Sequence, residues 1–232
     1  MKKILLVIPV YNEEKILEDS IEKLYEYMED NIKQDWKIII ANNASIDKTQ
    51  EIGEKLSKKY HKVEIYHLDF KGRGNALKHV WLNNNADVYA YCDVDLATGI
   101  EHLKELFDNI SQGNNIVIAS RYLKNSRTRR TLKRLFLSKG YLFLINIFFK
   151  TNLTDFQCGF KAIDNKIKRE ILDKIKNKEW FFDTELLLLA EQGGYKIKEI
   201  PVKWNENKDS KVNIFRTVIN YIRNLIKFKD EN

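Results

Sequence analysis

The feature that most limits what this chain can fold into is the regular alternation of strand-length apolar runs with helical stretches along its first half. Ile4 to Val10, Lys37 to Ala41, Val63 to Leu68 and Val88 to Asp93 are short and rich in β-branched and aromatic residues. Between them, 16–31, 48–60 and 75–83 carry apolar residues at helical spacing, and a helix near 101–111 leads into a further strand at 116–120. This β-α-β-α order predicts an α/β fold: a mostly parallel sheet with helices on both faces. Right-handed crossovers then gather the carboxyl ends of the strands at one edge, where such sheets bind ligands. At 232 residues, 44% of them hydrophobic, the chain suits one compact domain.

The polar residues that follow the strands converge on that edge. Asn12 and Glu13 follow the first strand, Asn42 and Asn43 the second, Asp69, Lys71 and Arg73 the third, and Asp93 and Asp95 the fourth. In Asp93-Val94-Asp95, strand alternation would turn both carboxylates to one side, where they suit a hard divalent cation, Mg2+ or Mn2+. Such an ion neutralises charge on a leaving diphosphate. Lys71-Gly72-Arg73-Gly74 opens the third helix, and its glycines, basic residues and helix N-terminus favour phosphate. Two later blocks, 154–161 and 180–187, set polar residues among aromatics. There Asp183 reads either as a helix N-cap or as part of an acceptor site, and the residues alone leave both open.

A net charge of +7 admits anionic partners. Cys92 and Cys158 have neither CxxC spacing nor a histidine cluster, so no disulfide frame or zinc site is expected and a reducing compartment fits. The run after Met1-Lys2-Lys3 is short, ends at Pro9 and reads as a buried strand rather than a leader. No apolar run approaches the roughly 20 residues that span a bilayer, so a soluble or peripheral protein is expected. Beyond Arg121 a basic cluster, Arg127, Arg129, Arg130, Lys133 and Arg134, precedes the apolar stretch Leu135 to Phe149. Near the end, Phe215, Val218, Ile219, Ile222 and Leu225 share a helical face opposite Arg216, Asn220, Arg223 and Lys227. Both segments read as amphipathic helices for an anionic membrane surface; the alternative is that they pack together or form a homodimer interface. His61, His67, His79 and His102 stand outside every motif and read as surface or packing residues.

The ordered set 8–14, 42–49, the glycine loop, the DxD and Ala119-Ser120-Arg121 resembles the inverting family-two glycosyltransferases of GT-A fold. The blocks 155–162, 180–187 and Glu199-Ile200-Pro201-Val202 with Asp209-Ser210-Lys211 are similar to the branch of dolichyl-phosphate glucosyltransferases and dolichol-phosphate mannose synthases. The resemblance covers nearly the whole chain. It implies that Pro9, Tyr11, Glu13 and Asn42 surround the base and ribose, and that Asp93 and Asp95 hold metal and diphosphate. Lys211 would meet the donor phosphates, and Arg121, with Arg129, Arg130 and Arg134 nearby, the acceptor phosphate. Asn42 stands where the family usually has an acid and Ala44 where it usually has glycine. Ala97 replaces a glutamine frequent in mannose synthases, which makes the glucosyltransferase branch the nearer likeness; the membrane anchor of eukaryotic relatives is not seen.

The organisation expected is a nucleotide-sugar-binding half at 1–122, interfacial helices at 123–150, an acceptor-side half of the same catalytic domain at 151–211, and a C-terminal amphipathic helix at 212–232. The expected activity is transfer of a hexose from a nucleoside diphosphate sugar to a polyprenyl or dolichyl phosphate, at the cytoplasmic face of a membrane. Asn42 favours UDP, because one amide acceptor and one donor match uracil's edge. A phosphate acceptor is already anionic and needs no strong base. A hydroxyl acceptor would need one, for which Asp155 and Asp183 are the candidates. A non-catalytic membrane-binding protein of the same fold is the remaining alternative, and nucleic acid is not an expected partner.

Overall fold

Four parallel strands set the frame: β1 (Lys3–Val10), β2 (Asp35–Asn43), β3 (Val63–Leu68) and β4 (Val88–Cys92). The computed structural model describes residues 2–206 and 214–231, with the backbone alone at 133–134 and 214–219. β1 runs between β2 and β4, with Val10 beside Asn42 and Val7 beside Tyr91. The crossovers contain α1 (Leu17–Asn31), α2 (Thr49–Lys59) and α3 (Arg73–Leu82), as the sequence predicts to within a few residues. β2 starts earlier than its apolar run suggests, because Asp35 and Trp36 pair with Lys3 and Ile4.

The sheet then departs from simple succession. After α4 (Leu103–Ser111), β5 (Ile116–Ser120) does not join β4. β7 (Phe160–Asp164) inserts between them antiparallel to both, and β8 (Ile197–Pro201) pairs with β5 in parallel. The order is β3-β2-β1-β4-β7-β5-β8, so the sheet is mostly parallel with one reversed strand. Periodicity gives no sign of β7, whose second residue is Lys161; that lysine is fully buried, its charge met inside the protein.

Both faces of the sheet are covered, which explains why its strands read as unbroken apolar runs. Leu5, Val7, Ile39 and Ala41 face the layer containing α3 and α7 (Phe182–Gln192). Ile4, Leu6, Ile8, Ile38 and Ile40 face α1 and α4. Each buried leucine or isoleucine side chain contributes about 1.5–3 kcal/mol, so the two layers hold the strand ends rigidly. Around this body lie α6 (Asn165–Glu170), α5 (Leu132–Phe149), α8 (Ile214–Glu231) and a parallel ribbon of β6 (Arg127–Arg129) with β9 (Lys203–Asn205).

α5 and α8 pack on each other, with Tyr141 against Tyr221 at 4.6 Å and Phe149 against Phe228 at 5.6 Å between ring centres. Tyr221, Leu225 and Phe228 are thereby buried, which for Leu225 is the alternative in which the two helices pack together; the side chains of Phe215, Val218 and Ile219 lie outside the described residues. The outward stripe of α5 is different. Leu132, Phe136, Phe143 and Ile147 are 83, 79, 66 and 57% exposed and fall on one side of the helix. Among the described residues, no helix is long and apolar enough to cross a membrane.

Candidate functional site

The loops after β1 and β2 are bound to each other before any ligand arrives. Asn12, at a left-handed φ of 55°, receives at its Oδ1 the Ile46 N–H (2.9 Å) and gives its own N–H to Ser45 Oγ (2.9 Å). Glu13 N–H donates to Thr49 Oγ1 (2.9 Å), and Asp47 Oδ1 accepts the Thr49 N–H (3.0 Å), buttressing the start of α2. Ala44 also holds a left-handed φ of 55°, in the place where the resemblance expects glycine. Short polar side chains thus fix the cleft wall, among them Ser45, Asp47 and Thr49, which belong to the 42–49 motif but have no role of their own assigned from sequence.

At the end of β2 the two amides differ. Asn42 is fully buried: its Oδ1 accepts the Ser45 N–H (3.2 Å) and its Nδ2 donates to Gln50 Oε1 (2.7 Å), with His67 Nδ1 at 3.4 Å. The amide that the sequence assigns to uracil is therefore spent inside the protein. Asn43 is buried as well, and its Oδ1 has no hydrogen-bond partner among the described residues. Across the cleft, exposed Tyr11 accepts a hydrogen bond from Lys71 Nζ (2.6 Å), which joins the loops after β1 and β3. Pro9 is an interior residue of β1. His61, His79 and His102 pack or bond at the surface, as expected, whereas His67 borders the Asn42 amide.

β4 ends at Cys92, so strand alternation does not place the DxD. Asp93 to Leu96 form a turn in which Asp93 C=O accepts the Leu96 N–H (3.1 Å). Asp93 is fixed by a close approach: a Cβ built on Gly159 would stand 1.7 Å from Asp93 Oδ2, and Asp93 N–H donates to Gly159 C=O (3.1 Å). Asp95 is exposed and accepts the Ala97 N–H at Oδ1 (3.1 Å). Among the described residues, no group of three or more His, Cys, Asp or Glu gathers as a metal centre. Two carboxylates suit Mg2+ or Mn2+ whose other ligands are diphosphate oxygens and water.

The glycine loop corrects the phosphate reading. Arg73 is only 8% exposed; its Nε and Nη2 donate to Asp93 Oδ1 (3.2 and 2.8 Å) and its Nη1 to Asp183 Oδ2 (2.7 Å). Its guanidinium carbon lies 4.8 Å from the Tyr91 ring centre and 5.0 Å from that of Trp180. The start of α3 is covered too, since Asn75 N–H donates to Lys178 C=O (2.9 Å). A Cβ on Gly72 would meet that carbonyl at 2.6 Å, and one on Gly74 would meet Phe182 Cβ at 2.4 Å. The glycines admit the segment before α7, not a phosphate.

Asp183 lies in the first turn of α7 but does not cap it. It is buried between Arg73, Lys161 (3.1 Å) and the Tyr91 hydroxyl, which donates to Oδ1. Burial pushes its pKa up, but Lys161 and Arg73 outweigh that and hold it below the ordinary aspartate value. Asp155 has the same character. Arg121 grips it through Nε–Oδ2 (2.7 Å) and Nη2–Oδ1 (2.9 Å), and the Arg121, Gln157 and Cys158 N–H groups donate to it as well. Burial raises its pKa, but the Arg121 guanidinium more than offsets that, for a net depression. Glu199, outside every site assigned from sequence, takes the Thr154 and Asp155 N–H groups (3.0 and 3.2 Å) and sets this loop.

Of the basic residues beyond, Arg127 and Arg129 are exposed on β6. Arg130 is turned inward, its Nη1 donating to the Tyr122 hydroxyl (3.0 Å) with its guanidinium over that ring. The Arg134 side chain and Lys211 lie outside the described residues. A small cleft lined by Asp93, Ala97, Thr98, Gly159 and Trp204 joins the DxD turn to the Arg121 side, where Arg121 stacks on Trp204 at 5.3 Å.

Comparison with known proteins agrees with this architecture. The model of glycosyl transferase family 2 matches residues 5–172. Glycosyltransferase AglD of Haloferax volcanii is 32% identical over 217 residues, which are 92% of this chain and 35% of that protein. Dolichyl-phosphate beta-glucosyltransferase ALG5A of Trichomonas vaginalis is 31% identical over 90% of this chain and 68% of its own length. The human dolichyl-phosphate beta-glucosyltransferase is 28% identical over 91% and 70%. The chain thus spans about a third of the haloarchaeal relative and about two thirds of the others. Among solved structures, glucosyl-3-phosphoglycerate synthase from Mycobacterium tuberculosis, in complex with UDP, superposes with a TM-score of 0.74 at 14% identity, covering 99% of this chain and 80% of that one. The same enzyme has been crystallised with Mn2+, UDP-glucose and phosphoglyceric acid (TM-score 0.70, 14% identity, 97% and 79% covered).

Proposed function

The chain belongs to glycosyl transferase family 2 and has the GT-A fold, and from that premise we propose that it transfers a hexose from a nucleoside diphosphate sugar to a polyprenyl phosphate. The observation that carries this reading is the state of Asp155 and Asp183. Both are buried, ion-paired and held below the ordinary carboxylate pKa, so neither is suited to take a proton from a hydroxyl acceptor. An acceptor phosphate arrives ionised. One of its oxygens attacks the anomeric carbon in line, a new carbon–oxygen bond forms with inversion, and the bond to the nucleoside diphosphate breaks. The names of the curated relatives favour glucose as the hexose and a dolichyl-type lipid as the acceptor.

Asp93 and Asp95 would hold a divalent cation, Mg2+ or Mn2+, which when bound would neutralise the leaving diphosphate. Tyr11, with Lys71 beside it, borders the base and ribose. Asn43 replaces Asn42 as the base-reading candidate. A lone buried carbonyl oxygen suits uracil's single edge N–H better than guanine's two donors, which supports UDP as the carrier. Arg121 is placed by Asp155 to meet the acceptor phosphate. A screen of UDP- and GDP-hexoses against polyprenyl phosphate, with mass detection, tests this. The expected product is the lipid phosphate plus one hexose, from the UDP series. Equal transfer to the dephosphorylated prenol would overturn the acceptor, and tighter calorimetric binding of GDP than UDP would overturn the carrier.

The same reading puts the protein at the cytoplasmic face of a membrane, docked without crossing it. Leu132, Phe136, Phe143 and Ile147 form an exposed stripe on α5, beside exposed Arg127, Arg129, Lys139 and Lys150. Each basic residue near an anionic surface contributes up to about 1 kcal/mol. Two buried, unbridged cysteines suit a reducing compartment. In liposome flotation the protein should rise with vesicles containing acidic lipid, weaken with salt, and stay behind when Phe136 and Phe143 become Asp. Equal recovery on neutral and acidic vesicles would reject the electrostatic part. A concentration-dependent dimer lost in the same variants would assign the stripe to a homodimer instead.

A further inference from the structure

A buried charged cluster built on Arg73 and Asp183 adjoins Asp93 of the DxD turn, and the roles read for those two residues from sequence do not describe it. Arg73 places two nitrogens on one oxygen of Asp93 and a third on Asp183. Its guanidinium is clasped between the rings of Tyr91 and Trp180. Asp183 is held in turn by Lys161, which is fully buried and donates also to the carbonyls of Phe156 and Cys158. The guanidinium is fixed from every side, and burial, which opposes its charge, is overridden by the adjacent carboxylates. With two acids and two bases, the cluster is neutral before any ion arrives.

We propose that Arg73 is a positioning residue for Asp93 that stops the two DxD carboxylates from capturing a divalent cation alone, so that ion and nucleotide diphosphate bind together. Because Oδ1 of Asp93 is occupied, the carboxylate has only Oδ2 to offer a cation. A divalent ion on that oxygen would sit beside the buried Arg73 charge, and Asp95 alone supplies surplus negative charge, one unit against the ion's two. A diphosphate supplies that charge and completes the ligand set. The arrangement prevents a bare ion from occupying the site in a geometry that the donor would have to displace. This deepens the metal reading above and rests on it.

The test is Mn2+ binding to the full chain, followed by electron paramagnetic resonance with and without saturating UDP. Wild type should bind Mn2+ weakly alone and at least tenfold more tightly with UDP. Arg73→Gln should tighten UDP-free binding at least fivefold and shrink the UDP effect, whereas Arg73→Lys, which keeps the charge, should stay close to wild type. Asp183→Asn should act in the opposite direction to Arg73→Gln, weakening UDP-free binding, because it leaves the guanidinium charge less compensated. A merely structural role would leave the ratio of the two affinities unchanged in all three. An unchanged ratio in folded Arg73→Gln overturns the proposal while the metal reading stands. If Arg73→Gln does not fold, unchanged or tighter UDP-free binding by Asp183→Asn overturns it. Wild type that binds no Mn2+ even with UDP defeats the metal reading, and this inference with it.

Discussion

Asp95→Asn is expected to lower hexose transfer about 100-fold or more while leaving the folded state almost as stable as wild type. The two effects separate because of where the side chain sits. Asp95 is exposed in the turn beyond β4 and packs into neither core layer, so an isosteric amide there should shift unfolding by no more than about 0.5 kcal/mol. Losing one of two anionic ligands from a site that offers the cation only two carboxylates is a different matter. Stabilisation of developing charge by several kcal/mol depends on that ion, and each 1.4 kcal/mol or so is a factor of about ten in rate. Asp93→Asn should also abolish most transfer but with a stability cost, because it breaks the contacts to Arg73. Turnover is read by mass detection of the lipid product and stability by urea melts at pH 7. Full activity of both variants in the presence of chelator would remove the metal from the mechanism.

The contrast between those two aspartates shows what a sequence discloses and what it hides. The parallel frame was legible because Ile4 to Val10 and its counterparts are continuous apolar runs, which a strand buried on both faces requires. The convergence of Asn12, Asn42, Lys71 and Asp93 on one edge followed from crossover handedness alone. What could not be read was which polar side chains are already spent. Asn42 and Arg73 both read as ligand contacts, and each is consumed within the protein: Asn42 by Ser45 and Gln50 in the loop and helix that follow it, Arg73 by Asp183, 110 positions away. The glycines of the loop read as favouring phosphate, but the groups that approach them are the Lys178 carbonyl at Gly72 and Phe182 at Gly74. β7 stayed hidden because Lys161 disguises a buried strand as a half-exposed one, and its partners become visible only when Asp183 folds against it. The two late helices are legible as amphipathic segments, yet the inward face of α8 is taken by α5, since amphipathicity marks an apolar face and not its occupant.

Asp155→Asn should be the most destabilising single change at the site and should raise the KM for the lipid acceptor. Its carboxylate is 1% exposed, makes two short contacts with Arg121 and receives three backbone N–H groups. Removing its charge leaves a guanidinium whose side chain is 12% exposed without its counter-ion, a change that costs about 3–5 kcal/mol in comparable buried pairs. The pH dependence gives an independent check. Asp155 is depressed in the folded protein, so its contribution is fully present above the unfolded aspartate value near about 4 and is lost as pH falls through the lower folded value. The gap between wild type and Asp155→Asn should therefore be widest at neutral pH and close below pH about 4. Urea midpoints taken between pH 7 and 3 measure it. A gap that is constant over that range, or absent at pH 7, would mean that the Arg121 pair does not hold the loop. In that event Arg121 would reach the acceptor phosphate without help from Asp155, and the KM for polyprenyl phosphate would be the same in both proteins.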